Sequence, residues 1–85
     1  MNWNDVKIHL SLDGWGDLSI KDAQLCNDKL SELLINNFPG IKIDSGSWEL
    51  IEYESLNQEK ALGVKEFVEE NWYKIIQSAL GFKES

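Results

Sequence analysis

The sequence contains no arginine, and its eight basic residues, all lysines, stand against fifteen acidic residues, so the formal net charge is -7. Nucleic-acid binding usually requires clustered cations that neutralise phosphates and arginines that bind base edges. Attachment to an anionic membrane surface also requires clustered cations. The composition therefore argues against direct binding to nucleic acid and against binding to a membrane.

Cysteine, histidine and long apolar runs are equally scarce. Cys26 is the single cysteine, which excludes an intramolecular disulfide and a cysteine-rich zinc site. No apolar run approaches the roughly 18 residues that a membrane span needs, and the acidic start is atypical of a secretory signal. We therefore expect one cytoplasmic domain over residues 1–85, with no cofactor and no metal.

The first half of the chain shows two clear periodicities. Residues 6–12 alternate between apolar and polar side chains, which predicts a half-buried strand with His9 on its solvent side. Ser19 and Asp22 form a variant of the capping box, which predicts a helix from residue 20 to about residue 37. Its core-facing stripe consists of Ala23, Cys26, Leu30, Leu33 and Leu34.

The second half predicts a β-hairpin followed by a long helix. Residues 41–43 and 47–53 favour strands, and a turn is expected at residues 44–46. Ser55 and Gln58 form a capping box for a helix over residues 56–80, in which Gly63 is a possible break and Trp72 lies on the core stripe. Gly81 suits the left-handed position after the last turn, with Phe82 folding back.

The element order β-α-β-β-α defines the predicted fold class. Three strands and two amphipathic helices bury their apolar surfaces most simply in two layers. The sequence therefore predicts an α+β two-layer sandwich, with a small three-stranded sheet and both helices on one of its faces. A right-handed crossover places the first strand parallel to a strand of the hairpin.

The candidates for catalysis and metal binding are few. His9 is the one histidine, but no serine or cysteine has the spacing of a nucleophile, so we interpret His9 as exposed and dispensable and the chain as no enzyme. Cys26 on the apolar stripe is interpreted as packing. The segment from Asp13 to Asp17 lacks the alternating oxygen ligands of a calcium loop, and Asp44 does not complete one.

Two tryptophans allow a structural and a functional interpretation. Trp15 lies between glycines and acids in a predicted turn, and Trp48 lies in a strand with apolar residues on both faces. They either close the rim of a small core or act as aromatic anchors in an acidic surface. On the second interpretation, the candidate partner-binding residues are Asp13, Trp15, Asp17, Asp44, Trp48, Glu49, Glu52 and Glu54.

One segment resembles a known family. Residues 39–48, about a tenth of the chain, have the sequence Pro-Gly-Ile-Lys-Ile-Asp-Ser-Gly-Ser-Trp. This stretch is similar to a segment of the immunity protein that neutralises a tRNA-cleaving colicin, where a Pro-Gly turn leads into an Ile-Asp-Ser strand and then Ser-Trp. An acidic surface of that family blocks the basic cleft of the toxin. The resemblance implies an inhibitor with Asp44 and Trp48 near the contact.

The leading hypothesis is a small acidic inhibitor or immunity protein that blocks a basic toxin or nuclease. A phage-encoded nuclease inhibitor that mimics nucleic acid shares this mechanism. The alternative of another class is a structural or oligomerisation domain of a larger assembly, in which the charge keeps the protein soluble. A small enzyme that uses His9 ranks last.

Overall fold

The computed structural model describes residues 2–48 and 50–81, with the backbone alone at residues 45–48. The described chain forms the predicted α+β sandwich, in which helices cover one face of a three-stranded sheet. The elements in chain order are β1 (Val6–Ser11), a 3₁₀ turn (Asp13–Trp15), α1 (Ile20–Asn37), β2 (Lys42–Trp48), β3 (Glu52–Ser55), α2 (Gln58–Glu70) and α3 (Trp72–Leu80).

The sheet has the strand order β2-β1-β3, so the predicted hairpin is wrong. β1 pairs in parallel with β2 and antiparallel with β3, and it separates the two strands that were expected to be neighbours. β2 continues through residues 44–46, where a turn was expected. The register shifts there. His9 aligns with Asp44 and Ser11 aligns with Trp48, so a step of two residues in β1 corresponds to a step of four residues in β2. The turn-favouring residues 44–46 therefore lie in an irregular part of β2, and the strand continues beyond them.

Helix α1 confirms the sequence analysis at both ends. Ser19 is the N-cap, and its side chain accepts a hydrogen bond from the backbone N–H of Asp22. The helix ends before Phe38 and Pro39, and Gly40 follows with a φ of 92°. A side chain on Gly40 would also collide with Asn2 Oδ1. Glycine is therefore required at this reversal, because other residues are strained at such a φ.

The C-terminal helical region differs from its prediction in two places. Its N-cap is Asn57 instead of Ser55, because Asn57 Oδ1 accepts from the backbone N–H groups of Glu59 and Lys60. The region divides at Asn71 and not at Gly63, and the Asn71 side-chain amide donates to the carbonyl of Phe67. Two helices therefore replace the expected one.

The core lies between the sheet and the helices. Its fully buried members come from β1, α1, α2 and α3, and include Val6, Ile8, Ala23, Cys26, Leu30, Leu34, Val64 and Ile75. Trp3 and Phe38 pack edge to face beside this core, and Trp72 is half-buried against it. Gly81 ends α3 in the predicted left-handed conformation, while Phe82 lies outside the described residues. Among the described helices, none has the length and apolar character needed to cross a membrane.

Candidate functional site

The face of the sheet opposite the helices carries the polar side chains. Because residues in register share a face, and because Val6 and Ile8 of β1 point into the core, the alternate residues of each strand point outward. We call this side the outer face. Its described members are Lys7, His9, Lys42, Asp44, Glu52 and Glu54.

His9 lies at the centre of the outer face, and its predicted exposure is wrong. The residue is 8% exposed, because β1 is the central strand and both of its neighbours flank the ring. Alternation along a strand indicates which side chains share a face. It does not show whether neighbouring strands cover that face, and the burial of His9 depends on those neighbours.

The His9 ring lies between carboxylates from both neighbouring strands. Its Nδ1 is 3.0 Å from Asp44 Oδ2 on β2, and its Nε2 is 3.4 Å from Glu54 Oε2 on β3. A carboxylate oxygen only accepts hydrogen bonds, whereas a neutral imidazole has one N–H and an imidazolium has two. The charged ring can therefore donate to the carboxylates of both edge strands, whereas the neutral ring donates to only one of them and contacts the other.

Three carboxylates gather around His9, and we call Asp44, Glu52 and Glu54 the carboxylate cluster. The side chain of Asp44 is 37% exposed and that of Glu54 is 68% exposed, so both face solvent while they contact the ring. Glu52 is exposed and aligns with His9 in the β1–β3 register. All three carboxylates are among the partner-binding residues predicted from the sequence, and the sheet brings them together.

The other candidates lie elsewhere or are not described. Asp13 and Asp17 are exposed in and after the 3₁₀ turn, outside the strands that form the outer face. Glu49 and the side chain of Trp48 lie outside what the structure describes. The outer face also carries Lys7 and Lys42, which align with each other two residues before His9 and Asp44. Lys7 also aligns with Glu54 on β3, so lysines and a carboxylate share this level of the sheet, while Asp44 and Glu52 align with His9.

Trp15 is a core residue, so its interpretation as an exposed anchor is wrong. The indole is 5% exposed and stacks on Trp72, with ring centroids 4.0 Å apart and an interplanar angle of 11°. Its Nε1–H donates to Asn27 Oδ1 at 2.7 Å, and the Asn27 amide donates to the Ser11 carbonyl. The neighbouring Gly14 lies close to Ser11, because its N–H donates to Ser11 Oγ at 2.9 Å and a Cβ on Gly14 would lie 3.3 Å from Ser11 side-chain atoms.

An open groove of about 320 Å³ lies beside the edge strand β3. Trp72 and Val68 from the helices and Ile51 and Tyr53 from the sheet side supply its apolar surface. The remaining lining residues are Gly14, Leu50, Lys65 and Glu69. No sequence pattern indicates this groove, because it forms between segments that are distant along the chain.

Tyr53 lines the groove in a half-buried position. Burial raises the pKa of its phenol to about 12, and the neighbouring Glu69 carboxylate contributes in the same direction. The folded chain thus holds Tyr53 neutral where the unfolded chain ionises it. The free energy of unfolding should therefore fall as the pH rises from the ordinary value of 10 towards 12.

This shift can be measured by phenolate absorbance during an alkaline titration. We expect a late step in the folded protein, which disappears in Tyr53→Phe and persists in the control Tyr73→Phe, because Tyr73 is exposed and lies on α3. Tyr53→Phe should also flatten the loss of stability between pH 10 and 12. An unchanged late step in Tyr53→Phe would contradict this assignment.

The remaining candidates for nucleophilic chemistry and for metal binding are Cys26 and the other acidic side chains. Cys26 is buried as predicted, and burial raises the pKa of its thiol, with a smaller contribution from Asp22. Such a thiol is a poor nucleophile. Within residues 2–48 and 50–81, no group of three or more His, Cys, Asp or Glu side chains is arranged to hold a metal ion. The arrangement that stands out is the carboxylate cluster around His9.

Comparison with known proteins gives no match. No family model, no curated protein and no solved structure is detectably similar to this chain.

Proposed function

We propose that this chain is a small acidic inhibitor that binds and blocks a basic, nucleic-acid-handling toxin or nuclease, as an immunity protein does. The observation that carries the proposal is the carboxylate cluster, which presents three acids from two strands on one side of a small sheet. A rigid sheet fixes their spacing. Cations of a partner can then meet them without ordering a loop.

The charge of the whole chain supports the same proposal. A net charge of -7 attracts a basic partner over a distance and raises the association rate. Acids placed where the partner would hold phosphates compete with its substrate. The resemblance of residues 39–48 to a colicin immunity protein agrees with this function, because Asp44 of that segment belongs to the carboxylate cluster. The proposed place of action is the cytoplasm, where a nuclease meets its substrate.

The second candidate is a structural or oligomerisation domain, and the exposed apolar side chains favour it. Seven large hydrophobic residues are exposed in the described chain, namely Ile20, Leu25, Ile35, Leu50, Leu56, Leu62 and Tyr73. They are spread over α1, α2, α3 and the segments flanking β3. Because scattered apolar residues are normal on a protein surface, they support this alternative less than the carboxylate cluster supports an inhibitor.

Charge reversal tests the inhibitor. The probes are the catalytic domain of a tRNA-cleaving colicin and a panel of other basic ribonucleases, each assayed for RNA cleavage and for association with the chain. Glu52→Lys with Glu54→Lys should slow association with the inhibited enzyme by about tenfold or more. Raising salt from about 0.05 M to about 0.5 M should slow the wild-type association in the same way.

The matched control is Glu66→Lys with Glu70→Lys on the exposed side of α2. Both pairs change the net charge equally, from -7 to -3, since each replaces two anions by two cations. The control should bind nearly as well as the wild type, because solvated helix charges contribute little. Equal losses of association rate in the two double variants would show that the net charge, and not the carboxylate cluster, determines binding. Failure to inhibit any basic nuclease, together with concentration-dependent self-association, would favour the oligomerisation domain.

A further inference from the structure

β3 is an edge strand, and its outer edge is open within the described chain. In the strand order β2-β1-β3, the described residues of β3 pair with β1 alone. Every second residue of such a strand directs its N–H and C=O away from the sheet. We propose that an extended segment of the partner pairs with this edge as a fourth strand, and that cationic and apolar side chains alternate along this segment.

The two sides of β3 differ in chemistry, and this difference defines the partner segment. Glu52 and Glu54 point to the outer face and are exposed, while Tyr53 points to the apolar groove. Side chains of a paired strand follow the same alternation. A partner strand therefore places lysines or arginines beside the glutamates and apolar side chains over the groove. This inference rests on the proposed function only for the positive charge of the partner.

The groove gives the apolar side chains a binding surface. Its apolar surface comes from Ile51, Val68, Tyr53 and Trp72, with Lys65 and Glu69 also in the lining. A second depression on the same side lies between Tyr53 and the α2 residues Gln58, Ala61, Leu62 and Lys65. Tyr53 lines both depressions, so apolar side chains of a strand paired with β3 would meet them beside this residue.

A second copy of this chain is a poor occupant of the edge. Antiparallel pairing of β3 with itself around Tyr53 places Glu52 of one copy opposite Glu54 of the other, on the same face. Like charges that lie directly opposite each other destabilise a strand pair. The charges of β3 thus favour a basic partner strand over self-pairing.

The experiment uses the full chain and blocked seven-residue peptides in which lysine and valine alternate. Binding is followed by backbone amide NMR and by tryptophan fluorescence, since Trp72 lines the groove. We expect saturable shifts centred on the amides of residues 52–55. Two further peptides carry N-methyl groups, one on every lysine and the other on every valine. Only one of these sets faces β3 in a paired strand, so one peptide should lose at least about tenfold in affinity and the other should not.

The charge requirement is tested with a threonine–valine peptide and with the variant Glu52→Gln, Glu54→Gln. The variant should weaken binding of the lysine peptide and leave binding of the neutral peptide unchanged. Glu66→Gln with Glu70→Gln on α2 is the matched control and should change neither. Circular dichroism of each variant verifies that the fold is intact.

The outcomes separate the two proposals. If neither or both N-methylated peptides lose affinity, strand addition is wrong, and a salt-sensitive interaction lost in the glutamine variant still supports the acidic inhibitor. A second outcome is that only one N-methylated peptide loses affinity but the neutral peptide binds as tightly as the lysine peptide. The edge then accepts a strand, and the proposal that this strand is basic is wrong. A dimer in sedimentation that the peptide dissociates would assign the edge to a second copy and overturn the proposal.

Discussion

Trp15→Ala should lower the free energy of unfolding by about 3–5 kcal/mol, the usual loss when a buried tryptophan is truncated. Domains of this kind have only about 5–15 kcal/mol in total, so much of the chain should be unfolded near physiological temperature. The cause is threefold. The core loses a buried indole, Trp72 loses its stacking partner, and Asn27 loses its hydrogen-bond donor. Urea denaturation followed by far-ultraviolet circular dichroism measures the loss.

Two further variants separate packing from stacking. Tyr73→Ala on α3 is the matched control and should stay within about 0.5 kcal/mol of the wild type, because Tyr73 is 78% exposed. Trp72→Ala should cost less than Trp15→Ala, since Trp72 is half-buried. A double-mutant cycle of Trp15 and Trp72 should give a coupling of about 0.5–1.5 kcal/mol. A wild-type urea midpoint for Trp15→Ala would show that the indole is not in the core.

His9→Gln should lower the free energy of unfolding by about 1–3 kcal/mol, the usual cost of disrupting a buried hydrogen-bonding group. This result reverses the expectation from the sequence that His9 is dispensable. The ring lies on the central strand and contacts Asp44 on one neighbouring strand and Glu54 on the other. Its loss weakens the connection of both edge strands to β1. Urea denaturation at neutral pH provides the measurement.

Lys7→Gln is the control for His9→Gln, because Lys7 lies on the same strand and face, two residues earlier. It should change the stability by less than about 0.5 kcal/mol, as surface substitutions usually do. The pair His9→Gln and Asp44→Asn should be non-additive, since the two side chains are in contact. Additive effects, or equal midpoints for His9→Gln and the wild type, would be evidence against a structural role of the ring.

Both ends of the helix α1 and the C-terminal end of α3 are predicted correctly from short sequence signals. The cap at Ser19 and the reversal after Phe38 fix both ends of α1, because each depends on hydrogen bonds and backbone angles within a few residues. The left-handed Gly81 is predicted for the same reason. The prediction of Ser55 as the N-cap is wrong. Ser55 and Asn57 are both good capping residues, and the sequence does not show that the side chain of Asn57 accepts the hydrogen bonds of the first turn.

The expected parallel pairing of β1 with a later strand is confirmed, whereas the strand order and the burial of Trp15 are not predicted by the sequence. Gly46 favours a turn locally, yet β2 continues through it, because β1 pairs with β2 on both sides of the irregularity, at Asp44 and at Trp48. Trp15 has the neighbours of an exposed turn residue, but it is buried because Trp72 and Asn27 provide a stacking face and an acceptor. Among the candidate site residues, the three carboxylates were found by their charge and strand position. Their convergence on His9 depends on the strand order.

The central position of β1 has a consequence for how the chain folds. The contacts of His9 span 35 residues to Asp44 and 45 residues to Glu54, so neither strand pair is a local hairpin. Such pairings require closure of long loops, which slows folding relative to helix formation. During synthesis, β1 leaves the ribosome first but completes its pairing only after residue 55 has emerged. Until then at least one edge of β1 is unpaired, and the helix α1 can form before the sheet on which it packs is complete.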